Sequence, residues 1–390
     1  MLTSRQSIAR LLRLAIVTHL GIVAVTFAIS RYPASGDFDR FWEIGSTPGI
    51  PYVDYQVERG PLEAMLLKGI AAASGSRPRF GESVTIVNLA ADAAIMAALW
   101  WGWGIVAATY FAVVAIPIVD LLSARIDLWS VAAATIAVAA WQRDRRVVTA
   151  VGLVIGGACK LWPLPFGILL LVPRPRGSRS PSVALFAGLT LGLGLAWWLV
   201  AGWSGFRQVL TFRGAHGWQI ESAVGSVLIL LGAAAVRDES GAARVGMTSG
   251  PISVLMFALA APFNVWSLWR GGRTGHVGAG WLSGVSGLLL LSALFSPQFM
   301  GWLLPAGAIA WAQGDRRPAA LTAVASLLTA LELAYYDQLH AGSPTAALMV
   351  IARNAVLGCV LLSAASILKR SRVGGLVLAD DLRPVEPLQS

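Results

Sequence analysis

The chain has 390 residues, 56% of them apolar and 13% charged, with a formal net charge of +10. A mean hydropathy of +0.68 and repeated apolar runs long enough to cross a bilayer exclude a soluble enzyme and define an all-α, polytopic integral membrane protein. The positive charge does not signal nucleic-acid binding, because the arginines sit in short clusters between apolar runs, where the positive-inside bias and anionic lipid headgroups account for them.

In chain order, Arg5, Arg10 and Arg13 precede an apolar run to Ile29. No small-residue cleavage site follows it, so residues 12–30 read as an uncleaved first span. The stretch from Arg31 to Glu63 then holds six of the chain's 20 acidic residues: Asp37, Asp39, Glu43, Asp54, Glu58 and Glu63. It belongs to a first outer loop, 31–82, in which Gly60-Pro61 opens a short amphipathic helix along the membrane surface.

Spans over 83–101, 104–121 and 126–141 follow. Between the Arg143 to Arg146 and Arg174 to Arg179 clusters the apolar chain is too short for two full spans, so it reads as a broken hairpin turning at Lys160-Leu161-Trp162-Pro163. Backbone broken at membrane depth must face protein or a watery cavity, which aims Lys160 into a cavity. A span over 181–202 leads to a second outer loop, 203–251, in which 223–236 is a re-entrant or surface helix. Spans over 252–269, 277–295, 299–312, 318–335 and 344–368 complete a single polytopic domain, 1–370, of roughly ten to twelve helical segments. Residues 371–390 read as a disordered cytoplasmic tail, and all the Lys/Arg clusters are placed in the cytoplasm.

Two groups of residues could carry chemistry. A carboxylate fixed just outside the membrane can act as a general base, and Asp37 and Asp39 are both placed for that. Lys160, Arg207, Arg213, His216 and Arg353 are cations available to an anionic lipid carrier. Arg353 lies inside the last span, where an unpaired charge costs at least ~2.5 kcal/mol, so it requires Asp92, Glu332 or a ligand phosphate as partner. Asp92 and Asn88 share a helix face and suit helix packing. The four histidines are dispersed and the two cysteines, Cys159 and Cys359, lie in apolar segments as small buried hydrophobes. No metal or cofactor site is expected, and no Walker-type loop or GxSxG elbow is present.

The order Asp37-Phe38-x-x-Phe41-Trp42, followed by Gly49-Ile50-Pro51-Tyr52-x-Asp54-x-x-x-Glu58-x-Gly60-Pro61-Leu62, resembles the first outer loop of the polyprenyl-phosphate-mannose-dependent mannosyltransferases, glycosyltransferase family 87 of the C-type superfamily. Arg125-Ile126-Asp127, Lys160-Leu161-Trp162-Pro163, Gln219-Ile220-Glu221-Ser222, Ser296-Pro297-Gln298-Phe299 and Trp302-Leu303-Leu304-Pro305 agree in order. The chain departs from the family's frequent Glu-Tyr-Pro-Pro at Glu58-Arg59-Gly60-Pro61. The resemblance implies a C-type architecture, a polyprenyl-phosphate sugar donor, a glycolipid or lipoglycan acceptor, and chemistry on the outer face of the plasma membrane. It implies Asp37 as catalytic base, with Asp39 as the competing choice. It further implies Lys160 and His216 toward the donor phosphate and Gln219, Glu221 and Gln298 toward sugar or acceptor; the residues themselves add Arg207, Arg213 and Arg353 as phosphate partners, and Asp54 and Glu58 toward sugar or acceptor. The competing reading is a transporter or lipid flippase, which requires polar groups near the bilayer midplane and matched broken helices.

Overall fold

The structure, a computed structural model, describes residues 10, 13–23, 25, 36–173, 179–248 and 250–371. The end of the expected first span, most of the Arg174 to Arg179 cluster and the tail beyond Ser371 lie outside the described residues. The fold is all-α and polytopic, with one small sheet. Among the described residues five helices are long and apolar enough to cross a membrane: α4 (Arg77–Trp103), α9 (Arg179–Leu210), α11 (Gly250–Thr274), α14 (Arg316–Ala334) and α16 (Pro344–Arg370). At 27 residues, α4 and α16 extend about 40 Å, more than the ~30 Å hydrocarbon core. A sixth span is bent: α5 (Ile105–Val114) meets a short 3₁₀ turn and α6 (Val119–Ala124) at 43°. Shorter apolar helices fill the interior or flank it: α1 (Arg13–Val23), α7 (Asp127–Gln142), α8 (Arg146–Cys159), α12 (Val277–Leu290) and α13 (Leu304–Ala312).

The two ends of the bundle differ in chemistry. At one end, Arg143 donates to the Trp101 carbonyl at 2.8 Å and Arg270 donates to the Leu368 carbonyl at 2.9 Å. His276 meets Asp315 at 3.0 Å at this same end, and Gly272 lies against Leu169 and Trp141. The clusters at 143–146, 270–273, 316–317 and 369–370 therefore share one end. At the other end lie the first turn of α7, the last turn of α8 and the segments 36–76, 211–248, 291–299 and 335–343.

The broken hairpin is present: α8 ends at Cys159, the chain turns through Lys160 to Pro163, and Leu164–Leu171 returns as a 3₁₀ helix. Trp141 donates to Leu169 O at 2.8 Å, and Trp162 and Trp302 stack with centroids 5.0 Å apart, so the broken backbone is enclosed in protein. The hairpin is not the chain's single break. α5 and α6 bend, and α9 carries a left-handed Gly202 at φ 58°. α9 also runs eight residues beyond the expected end of its span.

The first large loop is helical over α2, where the sequence reads as irregular, as well as over α3, the short helix expected from Pro61. α2 (Gly36–Ser46) buries Phe38, Phe41 and Ile44 at helical spacing and carries Asp37 and Asp39 in its first turn, where carboxylates favour the positive end of the helix dipole. α3 (Pro61–Ser74) begins at Pro61 and packs on α2, α4 and α8. The second loop contains the surface helix α10 (Ala223–Leu230) and an antiparallel sheet in the order β1 (Trp218–Gln219), β3 (Ala242–Val245), β2 (Val236–Glu239). It packs Trp218, Ile220 and Val245 against Leu339 and Val350, so the 223–236 segment lies on α16 and does not span. α15 (Tyr336–His340) closes this end. Two side chains differ from their expected surroundings: Cys359 is exposed on α16, and Asp92 pairs with the buried His19 of α1 at 3.0 Å.

Gly60 fixes how the first loop meets the bundle, because a Cβ there would lie 2.2 Å from Cys159 O and 2.4 Å from Ala158 O. Both are backbone atoms at the end of α8 and cannot swing aside. Gly60→Ala is therefore expected to lower stability by about 1–3 kcal/mol, read as a fall in the thermal unfolding midpoint of the detergent-solubilised protein. An unchanged midpoint would contradict this docking.

Candidate functional site

The first turn of α2 and the 211–215 and 240–241 turns enclose an open cavity of about 310 Å³. Its lining is Asp37, Asp39, Arg40, Glu43, Glu58, Arg59, Phe212, Arg213, Ser240 and Gly241. Asp37 and Arg40 are three residues apart on α2, so both reach the same side of the helix. The Asp37 carboxylate is 28% exposed and pairs with Arg125, which sits between α6 and α7. Asp39 is 60% exposed and pairs outward with Arg77 of α4. This difference separates two carboxylates that the sequence leaves equivalent.

Glu58 is buried against Arg40, whose Nη2 donates to it at 2.8 Å and Nε at 3.2 Å. Arg213 Nε faces the same carboxylate at 3.2 Å. Burial alone would raise the Glu58 carboxyl. The Arg40 hydrogen bonds and the charges of Arg59, Arg40 and Arg213 outweigh it and hold the group below the usual carboxylate range. Glu58 thus contacts guanidinium groups instead of an open sugar subsite.

Behind Arg59 lies a second charged group. Asp127, at the start of α7, accepts from Lys160 Nζ and from Trp302 Nε1 at 3.3 Å, and faces Arg59 Nη1 at 3.8 Å. Lys160 also lies over the rings of Phe299 and Trp302, at 4.7 and 5.4 Å. Lys160 is therefore held by a carboxylate and two rings and does not line the cavity. Gln298, beside Phe299, is buried and takes a hydrogen bond from Ser296. Glu63 of α3 is wholly buried, and neither of its oxygens has a hydrogen-bond partner. Burial pushes its carboxyl up to about 7, against the opposing charges of Lys160 and Arg59.

A third group is separate. Arg353 of α16 is wholly buried, pairs with Glu332 of α14 at 3.1 Å, donates to the Glu221 carbonyl and lies 4.1 Å over Phe295. Of the partners considered for Arg353, Glu332 is the one it takes, and this removes it from the donor-phosphate set. Glu221 is buried beside it, and burial together with the Glu332 charge raises its carboxyl to about 8. Gln219 is buried in β1, its backbone N–H donating to Ala293 O at 3.0 Å.

The structure thus brings Asp37, Asp39, Glu58 and Arg213 into one cavity and leaves the other candidates outside it. Asp54 accepts from the Ile50 amide at 2.6 Å and closes a turn. Arg207 is exposed on α9, and His216 is exposed, its amide donating to Glu239 at 2.6 Å. Sequence reasoning missed Arg40, Arg59 and Arg125 as site residues. Proximity signals two of them, since Arg40 follows Asp37 by one helical turn and Arg59 follows Glu58 directly, and Arg125 stands in the Arg125-Ile126-Asp127 motif. Among the described residues no three His, Cys, Asp or Glu side chains gather as a metal site.

Fold and cavity together define a polytopic helical membrane protein with one charged site at a bundle end. No protein-family model matches the chain, and no curated protein does. Among solved structures it is similar to ArnT from Cupriavidus metallidurans, crystallised in the apo state, at 15% sequence identity and a TM-score of 0.47 over 91% of this chain and 77% of that one. So distant a likeness leaves the site to be read from this chain's own residues.

Glu63 makes the stability of this end pH-dependent. Its carboxyl rises in the fold from an ordinary 4.5 to about 7, so the stability it contributes is complete below 4.5 and lost as the pH climbs through 7. Glu63→Gln cannot ionise and is expected to flatten that decline, leaving the variant about 1–3 kcal/mol more stable than wild type near pH 8. Unfolding midpoints across the pH range check this; parallel curves for the two proteins would refute it.

Proposed function

We propose that the chain is a glycosyltransferase that moves a sugar from a polyprenyl-phosphate donor to a lipid-linked acceptor at the outer face of the plasma membrane. The sugar is mannose and the acceptor a cell-envelope glycolipid or lipoglycan, as the motif resemblance implies. The observation that carries the reading is the Asp37 carboxylate, partly exposed in an open cavity at a bundle end and walled by Arg40, Arg59 and Arg213. A base and a cluster of guanidinium groups in one place suit displacement of a phosphate leaving group.

In this mechanism Asp37 accepts the proton of the acceptor hydroxyl as its oxygen attacks the anomeric carbon. The bond from that carbon to the phosphate oxygen breaks, and polyprenyl phosphate departs with the electron pair. Single displacement inverts the anomeric centre. The arginines bind the donor phosphate and stabilise the charge that grows on it. Arg125 pairs with Asp37 and fixes its side chain at the cavity. Asp39, turned toward Arg77, is assigned a surface pair and not the base.

Orientation follows from charge. The clusters at 143–146, 270–273, 316–317 and 369–370 share the end opposite the cavity, and the positive-inside bias directs that end to the cytoplasm. The transporter reading gains the extra helix breaks at α5/α6 and Gly202, yet the cavity's charged groups lie at the bundle end and not at mid-depth.

Asp37→Asn removes the base and keeps the shape. It is expected to cut turnover by about 10²–10⁴-fold with polyprenyl-phosphate mannose as donor, leaving donor affinity within a few-fold. Retained turnover would refute the assignment. For orientation, Gln338→Cys in a Cys359→Ser background should react with an impermeant maleimide in intact cells. Protection until the cells are opened would reverse the topology.

A further inference from the structure

Arg125 joins the first loop to the second. It is an extended residue (φ −120°) between α6 and α7, and its guanidinium pairs with Asp37 of α2 at the cavity wall. Away from the cavity it faces Asp127, two residues on, together with Tyr336 at the start of α15 and Glu221 of the second loop. The Tyr336 hydroxyl donates to the Glu221 carboxyl. Contacts thus run from a buried carboxyl, through Tyr336 and Arg125, to the partly exposed carboxylate that serves as base. Glu221 is 2% exposed and lies outside the cavity lining, so it does not reach a sugar placed there.

The backbone around Glu221 is an independent observation, because it is held on both sides. The Gln219 N–H donates to Ala293 O at 3.0 Å and the Ile220 N–H to Ala243 O at 3.2 Å. The Glu221 carbonyl accepts from Arg353 Nη2 and from Asn354 Nδ2, the latter at 3.3 Å, both on α16. Ser222 then caps α10, its hydroxyl oxygen accepting from the Gly225 amide at 3.0 Å. Four consecutive residues fixed in this way leave the Glu221 side chain little freedom beside Tyr336 and Arg125. With its carboxyl raised to about 8 by burial and the Glu332 charge, Glu221 is chiefly the neutral acid near pH 7 and does not compete with Asp37 for Arg125.

We propose that Glu221 and Tyr336 are positioning residues for the transfer reaction: they hold Arg125 from its buried side and so fix the Asp37 carboxylate at the cavity wall, where it meets the acceptor hydroxyl. This rests on the reading of Asp37 as the base of a polyprenyl-phosphate sugar transferase, and it replaces the sugar contact that the sequence assigns to Glu221. Neither residue touches substrate. Asp37 stands in the first turn of α2 with solvent on one side, and it can swing outward once its partner is loose. A misplacement of about 1 Å in a reacting group can cost roughly 100-fold in rate.

The test has two arms, both on the full-length protein in detergent. The first needs no turnover: timed modification with a carbodiimide and glycine ethyl ester, located by fragment-ion mass spectrometry, reads how readily Asp37 leaves its pair, with Asp39 as internal reference. Wild type is expected to react more slowly at Asp37 than at Asp39. Tyr336→Phe and Glu221→Ala should each speed Asp37 several-fold and leave Asp39 unchanged, while Glu221→Gln, a close mimic of the neutral acid, keeps the wild-type rate at Asp37. The second arm is transfer from polyprenyl-phosphate mannose, in which Tyr336→Phe and Glu221→Ala should lower kcat about tenfold and leave the donor KM within about twofold. Added to Asp37→Asn, Tyr336→Phe should cost nothing further, because it acts through Asp37. Unfolding midpoints confirm that each variant is folded, and should Glu221→Ala not fold, Tyr336→Phe carries both arms. The expected modification rates with no transfer by wild type would keep the positioning contact and defeat the transferase reading. Unchanged Asp37 reactivity in Tyr336→Phe, equal speeding of Asp37 and Asp39, or a further loss on top of Asp37→Asn would overturn the positioning role.

Discussion

The structure depends on one buried carboxylate, Asp127, at the point where three separate pieces of chain meet. It holds Lys160 from the broken hairpin, Trp302 from the 3₁₀ segment before α13, and faces Arg59 from the first loop. Each piece is irregular, and none could hold its position against lipid alone. A buried ion pair is weak evidence of added stability, since desolvation offsets most of the attraction. Its contribution is geometric: with the acid fixed at the first turn of α7, the hairpin tip and the first loop have one place to dock. Replacing one partner would leave the others charged, buried and unpaired, which is why the arrangement holds as a unit.

From this anchor the rest of the charged end follows. Arg59 is drawn toward Asp127, which sets Glu58 next to it, and Glu58 gathers Arg40 and Arg213. α2 then lies with Asp37 toward Arg125, itself two residues before Asp127. The wholly buried ion pair of Arg353 and Glu332 secures the second loop separately, through the Glu221 carbonyl. Two polar anchors inside an apolar bundle thus hold two large loops over one cavity, while the arginine clusters at the far end meet carbonyl groups and each other's helices.

Much of the architecture was legible in the sequence because it follows from bulk properties. Apolar run length shows the long spans, the four arginine clusters among the described residues sort to one end, and the shortage of apolar residues between Arg146 and Arg174 leads to the broken hairpin. What stayed hidden depends on tertiary contact. The bend between α5 and α6 falls at Pro117 inside a run that reads as one span, and α9 continues past Gly202, where the sequence ends its span. α2 was masked by its acidic residues, although Phe38, Phe41 and Ile44 carry a helical spacing. Arg353 required a carboxylate and found Glu332, while Lys160, read as open to a cavity, met Asp127. Asp37 and Asp39 could not be told apart by spacing, and only their partners Arg125 and Arg77 distinguish them. Glu58 read as a sugar ligand because its arginine neighbours come from segments 18 and 155 residues away.

The most direct test of the central claim is transfer of radiolabelled mannose from polyprenyl-phosphate mannose to endogenous membrane lipids, comparing membranes that contain the wild-type chain with membranes that lack it. The account predicts label in the lipid fraction only where the chain is present, with release of polyprenyl phosphate in equal amount. Equal labelling of the two membranes, with the same outcome across a panel of other polyprenyl-phosphate sugars, would contradict it.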